Sequence, residues 1–230
     1  MNSDALYAAI DVTWPSETVT TDGPWVHRKA VGAGSRLNAT TLELTSGGVP
    51  DDIPDRPLFM VRGDQSALDT ALENRGYAVK DPVTAYVINV EKIAQASGPT
   101  RVFTGWPELA VMAEVWATGG IGPERIASME RVQTTKAGFL CRDNDRAAGV
   151  AFAAIDGELA MLHALEVLTH ARRTNVATDI LKHAAYWAAE NGARHLAVLV
   201  TTANTGANAL YQNLGFEKAV GYHYRIRGTV

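Results

Sequence analysis

Apolar residues recur at helical spacing from Asp4 to Trp14, where Leu6, Ala9 and Ile10 share one side and Pro15 ends the run. Beyond it the period changes to two. "WVHRKAV" and "SRLNATTLEL" alternate on either side of Gly32-Ala33-Gly34 and predict a hairpin, and the polar stretch from Ser46 to Arg56 predicts a loop. "PLFMVR" then reads as a strand, "SALDTALENRGY" as a helix closed by Gly76, and "TAYVINV" as another strand.

Small residues from Gln95 to Pro99 suit a linker and divide the chain into residues 1–95 and 96–230. In the second block, "PELAVMAEVWATGG" and "GPERIASMERV" predict two helices. "AGFLCR", "AAGVAFAAI" and "ELAMLHALEVL" predict three strands, the last two joined by a turn at Asp156-Gly157. A helix running to Gly192, a buried-type strand "LAVLV", a helix from about Gly206 to Leu214 and a strand "GYHYRI" complete a mixed α/β (α+β) pattern. "LDTALENRGYAV" and "LYQNLGFEKAV" both close a helix on Gly-aromatic before a strand, the trace of a degenerate internal duplication.

Composition narrows the function classes. With 47% hydrophobic and 20% charged residues in 230, the chain has the make-up of a globular protein with a substantial core. A formal charge of -4 and basic residues that never run beyond a pair argue against nucleic acid as a partner. The single cysteine, Cys141, excludes an internal disulfide and a Cys-based zinc cage, and the six histidines show no ligand spacing, so no metal is expected. Met1-Asn2-Ser3-Asp4 lacks the basic start of a signal peptide and no apolar run is long enough to span a bilayer. The expectation is a cytoplasmic protein without membrane contact.

The stretch "HARRTNVATDIL" starts a helix directly after a strand. A helix start leaves its first N–H groups unpaired and carries partial positive charge, so it attracts phosphate. Arg172 and Arg173 add full charges, while Thr174, Asn175, Val176, Ala177 and Thr178 leave the amides approachable. From the residues alone, a second reading stays open: Thr174 or Asn175 caps the helix, Asp179 favours its first turn, and the arginines are solvated.

The segment "LHALEVLTHARRTNVATDIL" resembles the acetyl-CoA signature of the GNAT N-acetyltransferases, with Leu162, Leu165 and Val167 on the strand, Arg172 at the first signature position and Ala177 at the last. Asn175 stands at the middle glycine, the one departure. Downstream, "NTGANALYQNLGF" is similar to the family's second segment, with Asn204, Ala207, Leu210, Tyr211, Leu214, Gly215 and Phe216 in register. The resemblance covers roughly residues 100 to 230. It implies a GNAT fold, in which a central, mostly antiparallel, splayed sheet is flanked by helices, with residues 1–95 a degenerate, partial GNAT-like half.

The same resemblance implies acetyl-CoA as acyl donor, an amine of a small molecule or peptide as acceptor, and direct attack on the thioester. It implies cofactor contacts from Leu165, Val167, the stretch Arg172 to Thr178, Asn204, Ala207 and Tyr211, with Tyr211 as the acid for the departing thiolate. His163 and Glu166 are candidates for the base, His163 because the string His-Ala-Leu-Glu-Val is similar to one in arylalkylamine acetyltransferases. Strand alternation puts His163 and Leu165 on one face and Glu166 on the other unless the strand bulges. The resemblance implies an acceptor pocket built from variable loops and the helices around Trp106 to Gly122, of which Trp106, Met112 and Trp116 are candidates for an apolar lining, with core packing the expected role for at least two of them. Two rival readings are a non-catalytic acyl-CoA-binding module and a structural partner protein; a homodimer is a further candidate assembly.

Overall fold

The computed structural model describes residues 2–43, 48–98 and 100–228, and it centres on a sheet of eleven strands. Helix α1 (Ser3–Thr13) is capped by the Asn2 side chain, which accepts from the Asp4 amide. It is followed by β1 (Thr18–Asp22), β2 (Trp25–Lys29), β3 (Thr40–Leu42), β4 (Leu58–Arg62), α2 (Ser66–Asn74) and β5 (Tyr77–Asn89). The second run is β6 (Val102–Gly105), α3 (Ala110–Thr118), α4 (Pro123–Arg131), β7 (Lys136–Asp143), β8 (Arg146–Asp156), β9 (Leu159–Val167), α5 (Val176–Glu190), β10 (His195–Thr201), α6 (Thr205–Asn213) and β11 (Glu217–Arg227). This is the mixed α/β (α+β) architecture expected, with helices on both faces of the sheet.

The strand order is β1-β2-β3-β4-β11-β5-β10-β9-β8-β7-β6. Most neighbours are antiparallel; β3 with β4 and β9 with β10 are the parallel pairs. Each run of strands thus surrenders its last member. β11 lies between β4 and β5, and β5 lies between β11 and β10.

On one face α5 sets Ile180, Leu181, Ala184 and Ala188 against Phe139, Ala151 and Ala153. On the other, α3 sets Met112 and Trp116 against Val150 and Phe152, and α1 sets Leu6 and Ile10 against Met161 and Ala197. Fully burying such side chains stabilises by roughly 1.5–3 kcal/mol each. The packing of α1 on β9 and β10 ties the first residues of the chain to strands far along it.

Three expectations are corrected. The tight turn lies at Gly23-Pro24, joining β1 to β2, where Gly23 has φ +54. β2 and β3 do pair antiparallel, from Trp25 with Leu42 to His27 with Thr40, but residues 30–39 between them form a loop with a 3-10 turn at Arg36–Asn38. Leu44 of the predicted strand, Ser46 and Gly47 of the predicted loop, and Pro99 of the predicted linker lie outside the described residues. The rest of that linker stretch rests on α5, with the Gln95 amide donating to the Lys182 carbonyl and the Ser97 amide to His183 Nδ1. Third, β5 starts seven residues earlier than its apolar run, at Tyr77 instead of Thr84. Pro82 fits inside it because a register shift against β11 accommodates Asp81, which has φ +45.

Candidate active site

β9 creates the site by leaving its neighbour. It pairs with β10 from Leu159 to Leu162 and then diverges, while β10 continues along β5 alone to Thr201. At the point of departure β9 bulges: Val150 pairs with Glu166 but Phe152 with His163, and Ala164 has φ +52. The indole Nε1 of Trp116 donates to the Ala164 carbonyl at 2.8 Å and braces the irregular turn. The bulge decides the facing of the two expected bases. Ala164 packs with the α3 core, while Leu165 and Val167 pack with the α5 core. Glu166 lies against Gly119 at the end of α3, where a Cβ would stand 2.4 Å from its Oε2. His163 and Glu166 therefore share a face.

A cleft of about 970 Å³ runs through the gap. One side is the turn into α5. Arg173 and Asn175 have φ of +66 and +65, so Asn175 takes the left-handed conformation that a glycine would take, and its side chain makes no capping bond. Among the described residues, the amides from Arg173 to Thr178 have no hydrogen-bond acceptor. The capping alternative fails here for a local reason: Thr174 Oγ1 donates back to the Ala171 carbonyl. Arg172 and Arg173 are exposed and have no carboxylate partner among the described residues. Leu168 N–H bonds the Ala148 carbonyl on β8, so alternation turns the Val167 N–H to the open edge.

Arg101, which nothing in the sequence pattern singles out, holds this turn in place. Its guanidinium donates to Asp179 Oδ2, to the Thr174 carbonyl, to the Arg142 carbonyl and to Asp143 Oδ1. Asp179, the acidic group nearest the helix start, is thereby paired away from the cleft.

α6 supplies the far lip. Asn204 caps it, its side chain accepting from the Ala207 amide at 3.0 Å. Tyr211 packs its ring against Tyr86 and Phe216, and its hydroxyl has no protein partner among the described residues. Burial pushes the Tyr211 phenol up to about 12, so it keeps its proton across the neutral range. Leu165, Val167, Asn204, Ala207 and Tyr211 all line the cleft with the α5 turn.

On the α1 face the cleft opens into a chamber walled by Trp14, the loop Ala33 to Arg36, Ile121, Arg125, Tyr222 and Tyr224. His163 is buried there. Thr13 Oγ1 spends its proton on the Ala9 carbonyl and so accepts from His163 Nε2 at 2.9 Å, while His163 Nδ1 accepts from Arg36 Nη1 at 3.3 Å. Both ring nitrogens are occupied. Burial first, and the Arg36 charge second, hold its pKa well below the usual histidine value. The carboxylate of Glu166 has no hydrogen-bond or ion-pair partner among the described residues. In the expected acceptor region Met112 and Trp116 are fully buried core and Trp106 packs on Phe152, as the core-packing reading has it, while Ile121, between α3 and α4, and Arg125 on α4 reach the chamber. Cys141 is buried under α5, away from the cleft.

Among the described residues no helix is long and apolar enough to cross a membrane. Residues 109–216 match the model of the acetyltransferase (GNAT) family. The uncharacterized N-acetyltransferase YobR of Bacillus subtilis (strain 168) is 23% identical over 94% of each chain. Among solved structures, a GCN5-related N-acetyltransferase from Kribbella flavida superimposes with a TM-score of 0.68 at 20% identity, over 100% of this chain and 97% of that one. A tandem GNAT protein from the clavulanic acid biosynthesis pathway does so with a TM-score of 0.54 at 14% identity, over 76% of this chain and 66% of that one. At these identities the structural likenesses carry the fold.

Proposed function

We propose that the protein, whose residues 109–216 match the model of the acetyltransferase (GNAT) family, transfers an acetyl group from acetyl-CoA to an amine by direct attack on the thioester. The observation that carries this reading is the row of unpaired amides from Arg173 to Thr178, facing a cleft between diverging strands. The fit is good: the amides and the two arginines suit a pyrophosphate, the gap between β9 and β10 suits an extended pantetheine arm, and the Tyr211 hydroxyl faces the cleft. Acetyl-CoA, when bound, supplies the activated acetyl thioester.

The residues of the chain divide the remaining work. The Val167 N–H, turned to the open edge, is the donor that polarises the thioester carbonyl. Tyr211, protonated because it is buried, delivers the proton that the departing thiolate needs. Glu166, with free lone pairs on the chamber side, takes the proton from the acceptor ammonium. His163 is a positioning residue, since both its nitrogens are already bonded. Residues 1–95 are the degenerate half and 96–230 the transferase half, joined by their exchanged strands. A single buried cysteine and a CoA donor suit the cytoplasm.

Calorimetry with acetyl-CoA and CoA, followed by thiol release in the presence of an amine panel, tests the reading. Binding at micromolar or lower Kd with amine-dependent CoA release is expected. Binding without release from any amine would leave the acyl-CoA-binding module, and the absence of binding would remove the phosphate turn from the account.

A further inference from the structure

The chamber contains a cation that the fold does not neutralise. Arg28, Arg62, Arg101 and Arg225 are each at least partly buried and each has a carboxylate partner, in order Asp11, Glu43, Asp179 and Asp69. Arg36 has none among the described residues. Its Nη1 is committed to His163, and its Nε is buried without a hydrogen-bond partner. The Tyr222 and Tyr224 hydroxyls face this guanidinium, and the Tyr222 hydroxyl is buried without a well-aligned hydrogen-bond partner among the described residues. A second guanidinium, that of Arg125, leans on the same loop, its Nη2 3.1 Å from where a Cβ on Gly34 would stand, and it too has no described carboxylate partner.

A buried guanidinium without a counter-ion destabilises a fold unless a ligand completes it. From these groups we infer that Arg36 is the seat of a carboxylate on the acceptor: the amine that this enzyme acetylates carries an acid, the class to which amino acids and short peptides belong. The inference rests on the acetyl-transfer reading above. Geometry favours a planar, bidentate anion. With Nη1 held by His163, the Nε and Nη2 edge of Arg36 remains without a carboxylate, bordered by the Tyr222 and Tyr224 hydroxyls, which can accept from the guanidinium and still donate to an anion. The Thr13–His163 chain fixes the fork before substrate arrives, so little ordering is left to be done on binding.

Charge arrangement gives the substrate a direction. Arg36, Arg125 and Lys80, whose Nζ donates to Ser35 Oγ, cluster on the loop side. Glu166 sits on β9 three residues beyond His163, next to the gap where the thioester carbonyl is polarised, whereas Asp81 lies on the loop side, paired with Lys80 at 3.8 Å. An ammonium attracted to Glu166 and a carboxylate held at Arg36 would place the nitrogen at the slot and the acid away from it.

The experiment uses the full chain, acetyl-CoA and matched acceptors: amino acids, their carboxamides, their decarboxylated amines and the aminophosphonates. Acids are expected to exceed amides and simple amines in kcat/KM on the order of 100-fold, because a site built to bond an acid leaves its donors unpaired with the analogue. Arg36→Lys and Arg36→Gln should each raise KM for acids at least about tenfold and remove the preference, with the acetyl-CoA Kd unchanged. Equal or better turnover of the amides and simple amines overturns the inference while leaving acetyl transfer intact, and so does an unaltered KM in both variants. A preference for the phosphonates would replace the carboxylate by a tetrahedral anion and overturn the class named here. If no amine is acetylated, calorimetry of N-acetylated amino acids with CoA present decides separately. Arg36-dependent binding of the acids over their amides keeps the seat and fails the transfer reading; no such binding fails the seat as well.

Discussion

Residues 40–89 and 159–227 run through the same succession of elements, and one step differs. In the second, β9 is parallel to β10 with α5 between them, and then α6 closes on Gly215 into β11. In the first, β3 is parallel to β4, and α2 closes on Gly76 into β5, but between Leu42 and Leu58 there is no helix among the described residues. Among its described residues the front half therefore shows no counterpart of the turn with unpaired amides. Aligned on the two glycines, Tyr211 of α6 corresponds to Leu72 of α2, which is fully buried beside Phe59 and Tyr77. Asn204, which caps α6, corresponds to Gln65, whose side chain makes no cap and bonds the Leu42 carbonyl instead. The same succession of elements thus carries the proposed site in one half and packing in the other, and the described residues differ in a helix start, a cap and a phenol.

The severest way to break this comparison is to separate the halves. A fragment of residues 96–230 loses β5 from between β10 and β11 and loses α1 from the face of β9, and it should not fold cooperatively. A sharp thermal transition and CoA binding by the isolated fragment would show that the front half is dispensable.

A pair of substitutions at corresponding positions sharpens it. Leu72→Ala should cost about 2–5 kcal/mol of stability by leaving a cavity, with kcat unchanged in the folded fraction. Tyr211→Phe should leave stability and CoA affinity nearly unchanged but lower kcat on the order of 100-fold by removing the acid. Denaturant titration and steady-state rates on both variants check the split; a rate loss in Leu72→Ala, or none in Tyr211→Phe, would dissolve it.

A smaller effect tests how the front half serves the back. His163 is held neutral by burial first and by the Arg36 charge second, and both its hydrogen-bond partners, Thr13 and Arg36, come from the front half. Its pKa in the fold is lowered, so below the unfolded value of 6.5 the unfolded chain binds a proton that the folded chain refuses. Stability from this group is then complete above 6.5 and falls as the pH drops, by at most about 1.4 kcal/mol per unit. His163→Gln can keep both hydrogen bonds and does not titrate, so its acid limb should be shallower; identical pH-stability curves would contradict the assignment. The smallest change expected is at the turn itself. Asn175→Gly relieves a positive φ worth a few tenths to about 1 kcal/mol and should keep or improve CoA affinity. A marked loss in calorimetry would mean that the amide side chain contacts the phosphates.

The elements that the sequence displays are those with strong periodicity or dense local motifs. β9 through α6 was legible because its strand, turn and helix residues sit in register within a short span. β1 was not, because all five residues are exposed and a wholly solvated edge strand has no alternation to read. The exchange of β5 and β11 leaves no local trace either, since pairing partners are chosen over long range. At the site, Asn175, Tyr211, Val167 and Glu166 could be named from the resemblance of their motifs to those of the GNAT family. Arg36, Arg101 and Trp14 could not: they lie in loops or at a helix end, and only the folded chain brings them to β9. The bulge at Ala164 reversed the facing of Glu166 relative to simple alternation, an outcome that a pattern with period two cannot encode.

The crossed strands have a thermodynamic corollary. With β11 hemmed by β4 and β5, and β5 by β11 and β10, neither repeat can melt while the other stays whole, so heat or denaturant should meet one cooperative unit. Change in the front strands is then bounded by what the back ones need, because β5 is walled on both sides by strands of the second run.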